Sequence, residues 1–157
     1  MKIFISHKQE DAYSASRIAA ELKRIEVDCY LDLLDPELVQ SGRELTNHIR
    51  NNLNNCTDII VVMSEKTKRS QWVPFEVGMA AQIHMPTATF LKDSVDLPDF
   101  LEYWPRLKQP EDIHKYVLSS KVVDKEYSGY RTLFENVDYK SQRTERFYDV
   151  LKQRLLE

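Results

Sequence analysis

The organisation of this chain is clearest in Ile59-Ile-Val-Val-Met63 and the segment after it, Ser64-Glu-Lys-Thr-Lys-Arg-Ser-Gln-Trp-Val-Pro-Phe-Glu76. The first segment is the most apolar run of the chain and predicts a buried strand. The polar residues that follow predict a loop, and Pro74 fits only the first turn of a helix, where its missing N–H matters least. Trp72 and Glu76 therefore lie near a helix start at the mouth of a sheet. An aromatic ring and a carboxylate placed in this way can bind a ring and cleave a bond.

The composition indicates one globular domain without a strongly charged binding surface. The 157 residues are enough for a single domain with a substantial core, since 42% are hydrophobic and 30% are charged. A net charge of −3 argues against nucleic-acid or anionic-membrane partners, and no apolar run approaches the ~20 residues that span a bilayer. Three glycines are too few for a glycine-rich phosphate loop. Cys29 and Cys56 are predicted to be reduced thiols, so we expect a cytoplasmic protein.

Short apolar runs alternate with segments of helical periodicity as far as Leu91. This order predicts a parallel sheet with helices on both faces. Ser41-Gly-Arg-Glu44 matches a capping box, which predicts a helix that buries Leu45, Ile49 and Leu53. The predicted strands are Ile3–Ser6, Val27–Leu31, Asp58–Met63 and Thr87–Leu91. The predicted helices are Asp11–Ile25, the one after Ser41, one from between Ser70 and Pro74 to about His84, Glu111–Leu118, and Ser141–Leu156.

The loops after the first and third strands form the predicted binding site. In an open parallel sheet, ligands bind beyond the carboxyl ends of the strands where the strand order reverses, which in a flavodoxin-like order lies between these two strands. The first loop, Ser6–Asp11, leads into a helix N-terminus that suits a phosphate or diphosphate. Ser6, His7 and Lys8 would add hydrogen-bond donors there. The second loop runs from Ser64 to Trp72.

Glu76 has two interpretations when the residues are considered alone. Near the start of a helix the dipole favours its ionised form, and an ionised carboxylate can hold ribose hydroxyls and stabilise an oxocarbenium-like transition state. That is the chemistry of breaking an N-glycosidic bond. In the alternative, Glu76 is only a favourable dipole partner at a helix start. Trp72 is likewise either a wall of the pocket or a core aromatic. Tyr103 and Trp104 either lie in the core, which we expect, or close the pocket over nicotinamide or adenine.

Three motifs, in this order, make the chain resemble a TIR (Toll/interleukin receptor) domain. They are Phe4-Ile-Ser-His7, Asp58-Ile-Ile-Val-Val-Met-Ser64 and Ser70-x-Trp72-x-x-x-Glu76, and the match is continuous from Lys2 to about Gln82. The resemblance implies a single TIR domain over residues 1–157. It also implies an α/β, flavodoxin-like three-layer sandwich, with a central parallel sheet of about five strands in the order 2-1-3-4-5 and helices on both faces.

The resemblance also implies roles for individual residues, because many bacterial and plant members of this family consume NAD+. Glu76 corresponds to the catalytic glutamate on the helix after the third strand, and Trp72 helps to shape the pocket. Asp32 begins what looks like the BB loop used for self-association, although here the loop is acidic and has Pro36 instead of a glycine-rich tip. The implied substrate-binding residues are Ser6, His7, Lys8, Asp32, Ser64, Ser70 and Trp72, and the implied self-association residues are Asp35, Pro36 and Glu37 in the 32–42 loop.

The function implied by the resemblance is cleavage of the nicotinamide–ribose bond of NAD+, which releases nicotinamide and an ADP-ribose-derived product that is linear or cyclic. NAD+ is then the substrate, and neither a cofactor nor a metal is expected. A stand-alone bacterial protein of this kind would act in antiphage defence, in a Thoeris-like pair with a separate effector that responds to the product. Two alternatives stay open. One is a non-catalytic TIR interaction module or host-directed mimic, and the other is a nucleotide binder related to the nucleoside deoxyribosyltransferases.

Overall fold

Parallel strands form one sheet at the centre of the molecule. The computed structural model describes residues 1–31, 41–91, 94–97, 99–128 and 137–157. The strands in these residues are β1 (Lys2–Ser6), β2 (Asp28–Leu31), β3 (Asp58–Met63), β4 (Thr87–Leu91) and β5 (Arg106–Leu107). They form a five-stranded sheet in the order β2-β1-β3-β4-β5, and each neighbouring pair is parallel. The predicted flavodoxin-like arrangement is therefore confirmed.

Helices cover both faces of this sheet. In the described residues they are α1 (Ala12–Arg24), α2 (Gly42–Asn54), α3 (Trp72–Gln82), α4 (Asp99–Glu102), α5 (Glu111–Tyr127) and α6 (Val137–Leu156). The predicted cap begins α2, since Ser41 Oγ accepts a hydrogen bond from the backbone N–H of Glu44 at 3.2 Å. This helix buries Leu45, Ile49 and Leu53, as its apolar spacing predicts.

The core consists of two clusters, one on each face of the sheet, because successive side chains of a strand point in opposite directions. All six residues of β3 are buried, as expected for a central parallel strand covered on both faces. Ile60 and Val62 belong to the cluster under α1, α5 and α6. Ile59 and Val61 belong to the cluster that includes residues of α2, α3 and α4. The sheet is thus packed on both faces.

Two short elements after Leu91 are absent from the sequence prediction. β5 has two residues and α4 has four, which is too few to produce a periodic pattern. Pairing to β4 makes β5 a strand, because Thr89 donates its N–H to the carbonyl of Pro105 at 3.0 Å just ahead of β5. The fifth strand is therefore created by its neighbour in the sheet.

The last two helices are longer than predicted. α5 continues past Leu118 to Tyr127, and α6 begins at Val137 instead of Ser141. The buried face of α5 carries Ser119 and Ser120 where apolar residues would continue its stripe, but Val123 further along the same face is fully buried in a core cluster. Burial of Val123 in the core therefore extends α5 beyond the point where the apolar periodicity of its sequence becomes weak.

The expectation of core packing is right for Trp104 and wrong for Tyr103. Trp104 is partly buried and packs against both core clusters. Tyr103 is 49% exposed, and its ring meets the ring of Tyr148 edge to face at 5.7 Å. Its hydroxyl donates a hydrogen bond to the carboxylate of Glu145. A tyrosine hydroxyl needs such a partner, and here the partner lies at the surface.

The amino end of β3 holds a buried carboxyl group. Asp58 is 3% exposed and accepts hydrogen bonds from the hydroxyl of Tyr116, at 2.9 Å, and from that of Thr57. Burial raises the pKa of Asp58. A groove of about 770 Å³ lies beside it, lined among others by Pro86 and Arg143. This groove lies at the amino ends of the strands, whereas ligands of open α/β sheets bind at the carboxyl ends.

Replacing Asp58 with asparagine is expected to weaken the pH dependence of stability. Because burial raises the folded-state pKa above the usual value of about 3.9, the folded protein binds more protons than the unfolded chain between the two values. In the wild type, the contribution of Asp58 to the free energy of unfolding is therefore lost as the pH rises through that interval. The variant keeps an acceptor for Tyr116 and carries no charge. The free energy of unfolding is measured by urea unfolding at about pH 4 and at about pH 7. Its decrease from the lower to the higher pH should be smaller in Asp58→Asn than in the wild type. An equal or larger loss in the variant contradicts this expectation.

Candidate functional site

β1 and β3 bring the two predicted loops together at the carboxyl edge of the sheet. The strands are parallel neighbours, and Ser6 at the end of β1 is paired with Val61 of β3. β2 flanks β1 and β4 flanks β3, so the strand order reverses between the two central strands. The loop after β1 covers residues 7–11, and the loop after β3 covers residues 64–71. The two loops predicted from the sequence are therefore neighbours, and the candidate site lies between them.

Ser6 and Glu76 make a buried contact at this edge. Ser6 Oγ donates a hydrogen bond to Glu76 Oε2, and the exposed fractions of the two residues are 0% and 6%. One residue ends β1, and the other lies in the second turn of α3. A buried carboxylate needs hydrogen-bond donors, and the hydroxyl of Ser6 supplies one. The site therefore holds a carboxylate in a defined orientation and largely shielded from water.

Ser70 organises the start of the helix that carries Glu76. Its Oγ accepts hydrogen bonds from the backbone N–H groups of Trp72 at 3.2 Å and Val73 at 3.4 Å. These N–H groups would otherwise lack partners at the helix start, and Pro74 in the same turn has no N–H to satisfy. The hydroxyl of Ser70 thus serves the helix in this structure. Its role in substrate binding stays a prediction.

Asp11 links the two loops and was not recognised from the sequence. Its Oδ2 accepts hydrogen bonds from the hydroxyls of both Ser64 and Thr67. All three residues are buried, with exposed fractions of 1%, 6% and 1%. Ser64 Oγ also accepts the backbone N–H groups of Lys66 and Thr67, both at 3.2 Å. Ser64, which was expected to bind substrate, therefore uses its hydroxyl proton inside the protein.

His7 and Lys8 lie on the first loop with half-buried side chains. His7 Nδ1 is 3.3 Å from the carbonyl oxygen of Ile5, a hydrogen bond in the tautomer with a proton on Nδ1. Lys8 Nζ is 2.9 Å from Glu10 Oε1, and this hydrogen bond lowers the pKa of Glu10. Because surface ion pairs contribute little, the ammonium group can exchange this partner for another anion at small cost.

Trp72 lies at the rim of the site and belongs to neither core cluster of the described residues. Its ring packs edge to face on Phe75, with 6.1 Å between the ring centroids and 86° between the planes. Phe75 is 38% exposed. The two rings form an aromatic surface at the start of α3, with Trp72 four residues before Glu76 and Phe75 directly before it. A carboxylate beside an aromatic surface can stabilise positive charge on a sugar while a flat ring is held nearby.

The TIR domain family model matches residues 3–134 of the chain. The chain belongs to the TIR domain family. The match covers both site loops and the sheet, while α6 lies beyond it. No protein with a curated description matches the chain in sequence.

Two solved structures share the fold of this TIR domain. One is the TIR domain of the Toll-related receptor TRR-2 from Hydra magnipapillata, with a TM-score of 0.57 and 17% identity over 87% of this chain and 97% of that one. The other is the 2-deoxyribosyltransferase of Bacillus psychrosaccharolyticus, with a TM-score of 0.58 and 12% identity over 72% of this chain and 90% of that one. At these identities the likeness concerns the fold alone.

Several predicted residues of this TIR domain lie outside the described residues. They are Asp32, which was expected to bind substrate, and Asp35, Pro36 and Glu37 of the expected self-association loop. Elsewhere, in the ranges that the structure describes, no group of three or more His, Cys, Asp or Glu side chains is arranged to hold a metal ion. None of the helices in the same ranges has the length and the apolar run needed to cross a membrane.

Proposed function

We propose that this TIR domain is an enzyme that cleaves NAD+ at the bond between nicotinamide and ribose. The observation that carries the proposal is the buried contact between Ser6 Oγ and Glu76 Oε2 at the carboxyl ends of the central strands. The TIR domain family includes NAD+-cleaving enzymes, which supports the same reaction. NAD+ is the substrate in this proposal, and the reaction needs neither a cofactor nor a metal.

The chemistry that we assign to Glu76 is stabilisation of positive charge on the ribose. The bond between C1′ and the nicotinamide nitrogen breaks, and its electron pair leaves with nicotinamide, which becomes neutral. The ribose acquires oxocarbenium character, which a nearby carboxylate stabilises most strongly where water is excluded. Ser6 holds one oxygen of that carboxylate and so orients it. Water, the adenine of the same molecule or another acceptor then captures C1′, which gives a linear product, a cyclic product or an adduct.

The remaining site residues are assigned to substrate binding. The first loop, with His7 and Lys8, would bind the diphosphate, because it supplies donors and a positive charge beside a helix start. The partly buried ring of Trp72 would pack against a base of NAD+. Ser64, Ser70 and Asp32 complete the proposed substrate-binding set.

The proposal includes a biological setting. The reaction would take place in the cytoplasm, the protomers would associate through the 32–42 loop, and a separate effector protein would respond to the product. Antiphage defence is the setting that we propose for such a signal. No nucleic acid or membrane takes part in this scheme.

A non-catalytic interaction module is the main competing function. The receptor TIR domain from Hydra shows that the same fold occurs in a Toll-related receptor. A scaffold has no need of a buried carboxylate oriented by a serine, since burying a charged group is costly unless it is paired. The pair of Ser6 and Glu76 therefore favours the enzyme over the scaffold.

The test is to incubate the purified protein with NAD+ and to identify the products by mass spectrometry. Release of nicotinamide together with an ADP-ribose-derived product is expected. A parallel incubation with a 2′-deoxynucleoside and a second free base tests the alternative raised by the fold of the deoxyribosyltransferase. Intact NAD+ at high protein concentration contradicts the proposal. Base exchange in the parallel incubation, with NAD+ left intact, would assign the transferase reaction instead.

The rate per protomer is expected to rise with protein concentration. A cleft built from two loops at one edge of a sheet excludes water poorly, and a second subunit would close it. The 32–42 loop is the proposed contact, so reversing the charge of Asp35 or Glu37 should lower the rate without lowering thermal stability. Initial rates measured from nanomolar to micromolar protein test this expectation. A constant rate per protomer over that range, in the wild type and in both variants, would exclude a requirement for assembly.

A further inference from the structure

In the described residues, one buried contact joins the end of β1 to α3 beside the site loops and a second joins the loops themselves, and only the first includes the proposed catalytic residue. The first is Ser6 with Glu76, and the second is Asp11 with Ser64 and Thr67. We propose that this second group, which we name the loop clamp (Asp11, Ser64 and Thr67), positions Glu76 for the reaction. The inference rests on the proposed NAD+ cleavage. The clamp residues are positioning residues that act through the two loops.

The geometry of the loop clamp is that of a buried joint. Asp11 lies at the end of the first loop, where its N–H donates to the carbonyl of Lys8 at 2.8 Å. A single oxygen, Asp11 Oδ2, accepts both hydroxyl protons of the other loop. No clamp residue is more than 6% exposed. Hydrogen bonds to a carboxylate that are shielded from water are strong, so the clamp resists separation of the loops.

A continuous series of contacts connects the clamp to the helix that carries Glu76. The backbone N–H of Lys68 donates to the carbonyl of Ser64, and that of Ser70 donates to the carbonyl of Thr67, both at 2.9 Å. The Ser70 hydroxyl then caps α3 by accepting two backbone N–H groups of its first turn. Each step is short and local, so a displacement at Thr67 is transmitted to the first turn of α3.

β1 connects the far end of this series of contacts back to the clamp. Glu76, one turn after the start of α3, accepts the hydroxyl proton of Ser6, and the chain runs from Ser6 through the first loop back to Asp11. The first loop, the second loop and α3 are therefore connected through two contacts, Ser6 with Glu76 and the clamp. Loss of the clamp would remove the clamp's hydrogen bonds between the loops and leave the contact of Ser6 with Glu76. A displacement of about 1 Å at a reacting group can cost roughly 10²-fold in rate.

The test compares Thr67→Val with Thr67→Ser. Valine has nearly the shape of threonine without the hydroxyl, whereas serine keeps the hydroxyl and loses a methyl group. With NAD+ as the probe, we expect kcat of Thr67→Val to fall roughly 10- to 100-fold while KM changes less than about threefold. We expect Thr67→Ser to retain kcat within about threefold. Rates are measured below the melting temperature of every variant, so that they refer to folded protein. Thr67→Ala, which also lacks the hydroxyl, replaces Thr67→Val if that variant does not fold.

Backbone amide hydrogen exchange of the free protein provides a readout that does not depend on activity. In Thr67→Val, exchange should become faster both at residues 64–71 and at residues 7–11, although the second loop contains no substitution. Thr67→Ser should leave both loops as they are in the wild type. A purely structural role would lower the melting temperature without separating kcat from KM.

The outcomes separate the inference from the proposed function. If the wild type cleaves NAD+ but Thr67→Val matches Thr67→Ser in kcat, the clamp does not position Glu76. If the wild type leaves NAD+ intact, the proposed function fails, and the catalytic role of the clamp fails with it. Exchange that stays unchanged at residues 7–11 in Thr67→Val shows that the clamp does not hold the loops together. The inference stands if kcat falls as described and exchange rises in both loops.

Discussion

Glu76→Gln is expected to abolish NAD+ cleavage and to leave the fold intact. The substitution removes the negative charge that stabilises the developing oxocarbenium ion, and losing such a preorganised electrostatic contact costs about 10³-fold in rate or more. The fold should tolerate it, because glutamine has nearly the same volume and its carbonyl oxygen can still accept the hydrogen bond from Ser6. Initial rates of nicotinamide release and the melting temperature measure the two effects.

Glu65→Gln is the matched control for this variant. Glu65 lies in the loop after β3 and its side chain is exposed, so the control makes the same chemical change near the site without touching the buried contact. It should cleave NAD+ at the wild-type rate. If Glu76→Gln turns over NAD+ as fast as the control, Glu76 is not the catalytic carboxylate. A lower rate of NAD+ cleavage in both variants would indicate that the rate depends on the total charge near the loop after β3.

Phe147→Ala is expected to produce the largest loss of stability. Phe147 lies on α6, is fully buried and packs on the ring of Tyr116 with 4.9 Å between centroids. Its removal leaves a cavity between α6, α5 and the sheet, and Phe→Ala changes in protein cores cost about 3–5 kcal/mol. For a domain of this size, that corresponds to a fall in melting temperature of roughly 6 to 20 °C. Urea unfolding and calorimetry measure the change.

Leu156→Ala is the control on the same helix. Leu156 is 90% exposed, and a surface substitution of this kind should change stability by less than about 0.5 kcal/mol. The comparison matters because α6 lies beyond residues 3–134, which the family model matches. Equal stability of the two variants would show that the last helix is not part of the cooperative core.

The central strands could be predicted because their signals are local and strong. Asp58–Met63 and Thr87–Leu91 have the same bounds in the prediction and in the structure. Strands buried on both faces are rich in apolar and β-branched residues, so their composition marks them even though Asp58, Thr87 and Thr89 are polar. The start of α2 is similar, because the cap formed by Ser41 and Glu44 joins residues only three positions apart.

The elements after Leu91 were harder to predict because tertiary contacts define them. β5 is a strand only through its pairing with β4, and α5 continues past the buried polar residues Ser119 and Ser120 because Val123 further along lies in the core. Neither condition appears in the local pattern. A two-residue strand and a helix with an interrupted apolar stripe both fall below what periodicity can detect.

The candidate site was predicted as a location, and its internal contacts were not. The carboxyl ends of β1 and β3 follow from the strand order, and Glu76 follows from its position on the next helix. The hydrogen bond between Ser6 and Glu76 joins residues 70 positions apart, and Asp11 meets Ser64 across 53 positions. In the sequence Asp11 resembles an ordinary acidic residue at a helix start, which is why its link to the second loop was missed.

By itself, then, the sequence determined the order of strands and helices as far as Leu91, the two loops of the candidate site and the candidate carboxylate, Glu76. Those features depend on periodicity, caps and short motifs, which act between residues that are close in the chain. Only the tertiary structure decided that β5 completes the sheet, that Ser6 orients Glu76, and that Asp11 joins the two loops. These contacts draw their free energy from burial and from hydrogen bonds between distant residues, and such groups become partners only after the sheet has brought them together.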